Sequence, residues 1–120
     1  MKMHMMRVPC IDLTESEQFY SQKLGLDKIF GTADDGFIGY QLDNIQLLLE
    51  IEEKGEFECG TFLGFSLEVD NIDIFYAAAQ KQGVHFTGPP EKQSWGGLMT
   101  HIIDSSKNTF SVVQVNDTAG

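Results

Sequence analysis

The chain has 120 residues, enough for one globular domain with its own core, and a hydrophobic content of 42% sets aside disordered and fibrous classes. Eighteen acids against eight bases give a net charge of −10, which argues against a nucleic-acid partner because phosphate binding needs clustered Lys and Arg. The same charge attracts cationic ligands or simply keeps the protein soluble. No apolar run approaches the roughly 18 residues that a bilayer-crossing helix requires.

Residues 1–6 hold four methionines with Lys2 and His4, without the apolar stretch of a secretory signal. Cys10 and Cys59 form no CxxC motif and read as reduced thiols of a cytoplasmic protein. Residues 3–10 read as a first strand, with Pro9 marking an exposed edge or a strand end. Thr14-Glu15-Ser16-Glu17 has the spacing of a capping box, so a helix is expected through Phe19, Tyr20 and Leu24, ended by Gly25. Residues 37–42 and 45–52 read as two strands joined by Asp43-Asn44, two residues that tolerate positive φ in a hairpin turn.

Residues 53–61 are acidic and contain glycine, as a connection would. A strand is expected at 62–69. Ile72, Phe75, Tyr76 and Ala79 then fall on one helical face, with Asp70 or Asn71 as the cap and Gly83 as the stop. Gly88-Pro89-Pro90 breaks the chain, and residues 98–103 and 109–115 form the last strands around a polar loop at 104–108. The remaining tail, 116–120, is polar and expected to be loose.

Two stretches repeat each other. Asp12 precedes Gly25 by thirteen positions, and Asp70 precedes Gly83 by the same thirteen. Repetition of this length indicates one supersecondary unit used twice. The expected fold is α+β: two βαβββ modules, residues 1–52 and 62–115, forming a curved, cup-shaped mixed sheet with helices on the outer face.

The pattern resembles the vicinal oxygen chelate superfamily of glyoxalase I, bleomycin resistance proteins and extradiol dioxygenases. The residues that carry the match are Val8-Pro9-Cys10-Ile11-Asp12-Leu13, Phe19-Tyr20 and Leu24-Gly25-Leu26 in the first half. In the second they are Val69-Asp70-Asn71, Gly83-Val84, Trp95-Gly96-Gly97, and Asp104 with Asn108. The resemblance implies a small-molecule cup, a divalent metal in catalytic members, and a homodimer. It places the four metal positions at Met5, Glu50, Gly64 and Ser111. Glycine has no side chain and a thioether suits hard or borderline cations poorly, so a metal-free site is expected. A rearranged set of His4, Glu50 and His101 is the alternative, and it needs a bulge near Pro9 to turn His4 inward.

On the same alignment the cup is lined by Met5, Arg7, Leu48, Glu50, Ser66, Glu68, Ser111 and Val113. Trp95 lies at the rim, Tyr40 is a second aromatic, and His101 is a further inward candidate; His85 reads as surface. An aromatic wall with a carboxylate suits an aromatic cation. The competing readings leave Trp95 packing on the sheet and Glu50 paired with Arg7. Neither a nucleophilic Cys or Ser nor a phosphate-binding loop is recognisable. The reading is a metal-free protein that binds or sequesters a small molecule without catalysis. A metal-dependent lyase, isomerase or dioxygenase and an acidic protein-interaction subunit are the alternatives.

Overall fold

The structure, a computed structural model, describes residues 1–116; the tail expected over 116–120 lies, beyond Asn116, outside the described residues. The chain divides into two compact units, Met1–Thr61 with Ser105–Lys107, and Phe62–Asp104 with the chain from Asn108 onward. The architecture is α+β. Among the described residues no helix is long and apolar enough to cross a membrane.

In the first unit, strand β1 (Met5–Cys10) leads into helix α1 (Leu13–Glu17), which widens into a π-helical segment over Gln18–Lys23. Strands β2 (Asp27–Thr32), β3 (Phe37–Gln41) and β4 (Gln46–Ile51) follow. Their order in the sheet is β1-β4-β3-β2, with β1 parallel to β4 and the other neighbours antiparallel. Strand alternation places Val8, Cys10, Ile38, Tyr40, Leu47 and Leu49 on the buried side, where Leu13, Phe19 and Tyr20 of the helical segment are also buried.

Helix α1 starts differently from expectation. Asp12 Oδ1 accepts the amides of Thr14 and Glu15 at 2.9 and 3.1 Å. The chain is already helical at Leu13, so Thr14 sits inside the first turn and the capping box does not form. The turn at Asp43-Asn44 is closed by the Leu42 amide on the Ile45 carbonyl at 3.0 Å, but neither turn residue has positive φ. Gly25 and Gly83 do end their helices in the left-handed region, at φ +74 and +86. Pro9 lies on an outer strand of this sheet, yet is buried rather than exposed.

Strand β2 carries no strand signal in the sequence. It is mostly exposed, and its register against β3 shifts between Lys28 and Phe30, so no period-two pattern survives.

In the second unit, strand β5 (Phe62–Glu68) precedes helix α2 (Ile72–Lys81), two-residue strands β6 (His85–Phe86) and β7 (Glu91–Lys92), and strands β8 (Leu98–Ile103) and β9 (Thr109–Gln114). The order is β5-β9-β8-β6, with β7 also on β8 and β5 parallel to β9. Gly88-Pro89-Pro90 separates β6 from β7, since proline has no amide to give a ladder. Asn71 caps α2 through its Oδ1 on the Ile74 amide (3.1 Å), and Gln114 Oε1 accepts the otherwise orphaned Ile72 amide (2.9 Å). Ile72, Ala79, Ile102, Phe110 and Val112 are buried, and Phe65 stacks on Phe110 at 5.1 Å.

Candidate functional site

In the first unit, the sheet face opposite Tyr40 and Leu49 carries four of the expected site residues. Register and alternation put Met5 and Arg7 of β1 beside Gln46 and Leu48 of β4, with Glu50 on the same face. Arg7 Nε meets Glu50 Oε1 at 2.5 Å, and the Arg7 guanidinium lies 4.4 Å from the centroid of the Phe57 ring. Of the two readings of Glu50, the structure realises the pairing with Arg7. Phe37 faces Glu50 across β3 and β4, and Phe30 lies 6.0 Å from Phe37 with its ring over Gly39. A Cβ at Gly39 would collide with that ring, so the absent side chain is what lets Phe30 lie flat on the sheet.

Phe30, Phe37 and Phe57 were not anticipated as neighbours of the Arg7–Glu50 pair. Phe37 could have been found, because it has the same parity as Gly39 and pairs with Glu50 once β3 and β4 are set antiparallel. Phe30 is hidden by the register shift in β2, and Phe57 lies in a connection with no periodicity.

Tyr40 is corrected. It sits on the opposite, buried face, 0% exposed, with its hydroxyl 2.7 Å from Ser21 Oγ and its ring 6.2 Å from Tyr20. Burial raises its pKa above 10.0, the Ser21 hydrogen bond working in the other direction. Strand parity is the reason: Tyr40 is one residue from Gly39 and therefore on the other side of β3.

In the second unit, Ser66, Ser111 and His101 form one row across β5, β9 and β8, and Glu68, Val113 and Met99 form the next. The His101 ring lies 5.7 Å from Phe62, and Ser111 is buried. Trp95, 52% exposed, lies on the turn before β8 with its ring over Gly97, where a Cβ would strike it. That contact realises the packing role weighed for Trp95, while leaving half its surface open. His85 is exposed, as read.

The residues at the family's metal positions do not fit a divalent ion. Met5 offers a thioether, Gly64 nothing, Ser111 a neutral hydroxyl, and the Glu50 carboxylate is held by Arg7. The rearranged set of His4, Glu50 and His101 lacks the bulge that it needs. The β1–β4 register runs unbroken from Met5 to Cys10, so no bulge turns His4 inward, and His4 is exposed ahead of β1 with its carbonyl accepting the Gln46 amide. Among the described residues no three His, Cys, Asp or Glu side chains gather as a metal site would require.

Comparison with known proteins agrees with this architecture. No curated protein matches the chain. A member of the glyoxalase/bleomycin resistance protein/dioxygenase superfamily from Sphaerobacter thermophilus is 27% identical, with a TM-score of 0.84 over 95% of this chain and 97% of that one. TnmS3, an antibiotic binding protein from Streptomyces sp. CB03234, is 20% identical, with a TM-score of 0.81 and 95% of each chain covered. Lactoylglutathione lyase from Agrobacterium tumefaciens is 15% identical, with a TM-score of 0.77, covering 93% of this chain and 92% of that one. A family model matches residues 2–112, and the chain therefore belongs to the Glyoxalase/Bleomycin resistance protein/Dioxygenase superfamily.

Proposed function

We propose that this protein reversibly binds a small, planar, largely apolar organic molecule without the help of a metal. The observation that carries the reading is the Arg7–Glu50 pair: the one carboxylate at a family metal position is neutralised by a guanidinium that itself rests on Phe57. What surrounds the pair is aromatic. Phe30 and Phe37 are 36% and 41% exposed, an amount of unburied ring that suits contact with a flat ligand. Arg7 also offsets the charge that would make Glu50 a cation trap, which leaves the acidity of the whole chain as the source of any preference for cations. A fold shared with an antibiotic binding protein supports a sequestering role of this kind.

The experiment is calorimetry and thermal shift across neutral, cationic and anionic polycyclic aromatic compounds, with metal analysis of protein purified without chelator. Stabilisation by aromatic compounds, weakened in Phe30→Ala, is the expected result. No stabilisation by any compound would overturn the proposal, and so would near-stoichiometric zinc, nickel, manganese or iron, which would return the protein to the metal-dependent lyases, isomerases and dioxygenases of the superfamily.

A further inference from the structure

A concave site lies in the first unit, built from residues that the aromatic face does not use. It is a cleft of about 350 Å³, at the small end of the roughly 300–1,000 Å³ range of ligand pockets. Lys54, Glu58 and Cys59 line it from the connection after β4, Ile11 from the end of β1, and Lys107 from the segment Ser105–Lys107. We propose that this cleft binds a small zwitterion, a molecule that carries a carboxylate and an ammonium group on a skeleton the size of a dipeptide.

The argument is one of charge and preorganisation. In a chain with eight basic residues and a net charge of −10, two lysines share one cleft, and neither has an ion-pair partner among the described residues. Of the two carboxylates in the lining, Glu52 is already engaged, its Oε1 accepting the Cys59 amide at 3.1 Å, while Glu58 is exposed. The uncommitted charges are thus two ammonium groups and one carboxylate, which complement a ligand with both signs and not a simple amine. Ile11, 57% exposed, adds an apolar wall.

The segment that carries Lys107 is held in place. Ser106 is 2% exposed and its Oγ accepts the Ile11 amide at 3.0 Å, which ties the segment to the end of β1. Lys107 is the non-glycine residue with positive φ among the described residues, at +66, a conformation that a β-carbon disfavours. Glycine would adopt it more easily, so the backbone alone does not explain a lysine at this edge of the cleft.

Cys59, half-buried in the lining and in no disulfide, reports on occupancy through its rate of alkylation by iodoacetamide, followed by intact mass. Cys10 is 0% exposed and serves as the internal control. Glycylglycine is compared with N-acetylglycylglycine and glycylglycine ethyl ester, which keep the skeleton but remove one charge each. The expected result is that glycylglycine slows Cys59 alkylation about ten-fold at about ten times its dissociation constant, because the reactive fraction falls as 1/(1 + [L]/Kd). The two derivatives protect less, and Lys54→Ala and Lys107→Gly each lose the protection. Lys107→Gly accepts the observed φ without strain, so loss of fold is not the cause, and the ratio of rates with and without ligand cancels any change in intrinsic thiol reactivity. Absence of protection, equal protection by all three compounds, or protection retained in both variants would overturn the assignment. The aromatic face plays no part in this assay, so its failure and the failure of that reading are separate results.

Discussion

The Arg7–Glu50 pair decides whether the first unit's face is neutral or anionic, and its strength follows from its exposure. The Arg7 side chain is 56% exposed and Glu50 30%, so solvent screens much of their attraction in spite of the 2.5 Å contact. Pairs of this exposure contribute about 0.2–1 kcal/mol, and the guanidinium over Phe57 adds about 0.5–1 kcal/mol at an exposed site. Arg7→Met removes both and is expected to destabilise the fold by about 1 kcal/mol, while Glu50→Gln, which leaves the Phe57 contact, costs about 0.5 kcal/mol. The coupling in the double-mutant cycle is then about 0.5 kcal/mol and shrinks as salt rises. Urea unfolding of the four proteins at low and high ionic strength measures it.

Binding provides the stricter reading. In Arg7→Met the Glu50 carboxylate is left uncompensated near Phe37, so the preference for cationic over neutral aromatic compounds should rise by about three- to ten-fold, equivalent to about 0.6–1.4 kcal/mol. Glu50→Gln should not raise it. If the preference is the same in wild type and Arg7→Met, the guanidinium is not what neutralises this face and the reasoning fails.

Three further outcomes follow from the packing. Tyr40→Phe should cost about 1–2 kcal/mol by chemical denaturation, because a buried hydroxyl contact to Ser21 is lost, and it should leave aromatic binding unchanged because Tyr40 lies on the other face. Burial raises the Tyr40 pKa above its ordinary 10.0, so the native state keeps its proton where the unfolded chain has lost it. The stability this group contributes is therefore complete below about pH 10 and is lost as pH rises beyond it, a slope that Tyr40→Phe should flatten in pH-dependent unfolding. Gly39→Ala should destabilise by about 1–2 kcal/mol by displacing Phe30, and the same change in a Phe30→Ala background should cost less than half as much; an equal cost in both would refute the ring contact. Asn71→Ala removes the α2 cap and should lower stability by about 0.5–2 kcal/mol in thermal or urea unfolding, with Asn71→Ser recovering most of it.

The fold was legible because its determinants are local. Helix stops at Gly25 and Gly83, a cap at Asp70 or Asn71 and apolar runs such as that within 45–52 each declare themselves within a few residues. The first helix start was misread because Asp12 and Thr14 are both good caps, and only the residue at which the chain turns helical chooses between them. Strand β2 was lost because a bulge and an exposed edge erase the alternation that marks a strand. The failure was thus one of pattern, not of propensity.

The site was legible only as far as strand parity reaches. Met5, Arg7, Leu48 and Glu50 share a face because register and alternation require it, and that was readable from the family's spacing. Whether Glu50 serves a ligand or Arg7 depends on rotamers and on where Phe57 puts its ring, neither of which leaves a period in the sequence. The same dependence explains why a paired Glu50 and an exposed aromatic face are compatible. A carboxylate left without its fellow ligands is an unpaired charge beside apolar side chains, a costly arrangement. Arg7 removes that cost, and once the pair is neutral nothing electrostatic opposes laying Phe30 across Gly39 and Phe37 beside it. Restoring ligands one at a time should therefore not restore metal binding. Met5→His alone leaves Glu50 engaged, and adding Arg7→Met frees only a second ligand where a metal site requires at least three, so neither the single nor the double variant should retain zinc; zinc bound by Met5→His alone would show that the ion pair does not gate the site.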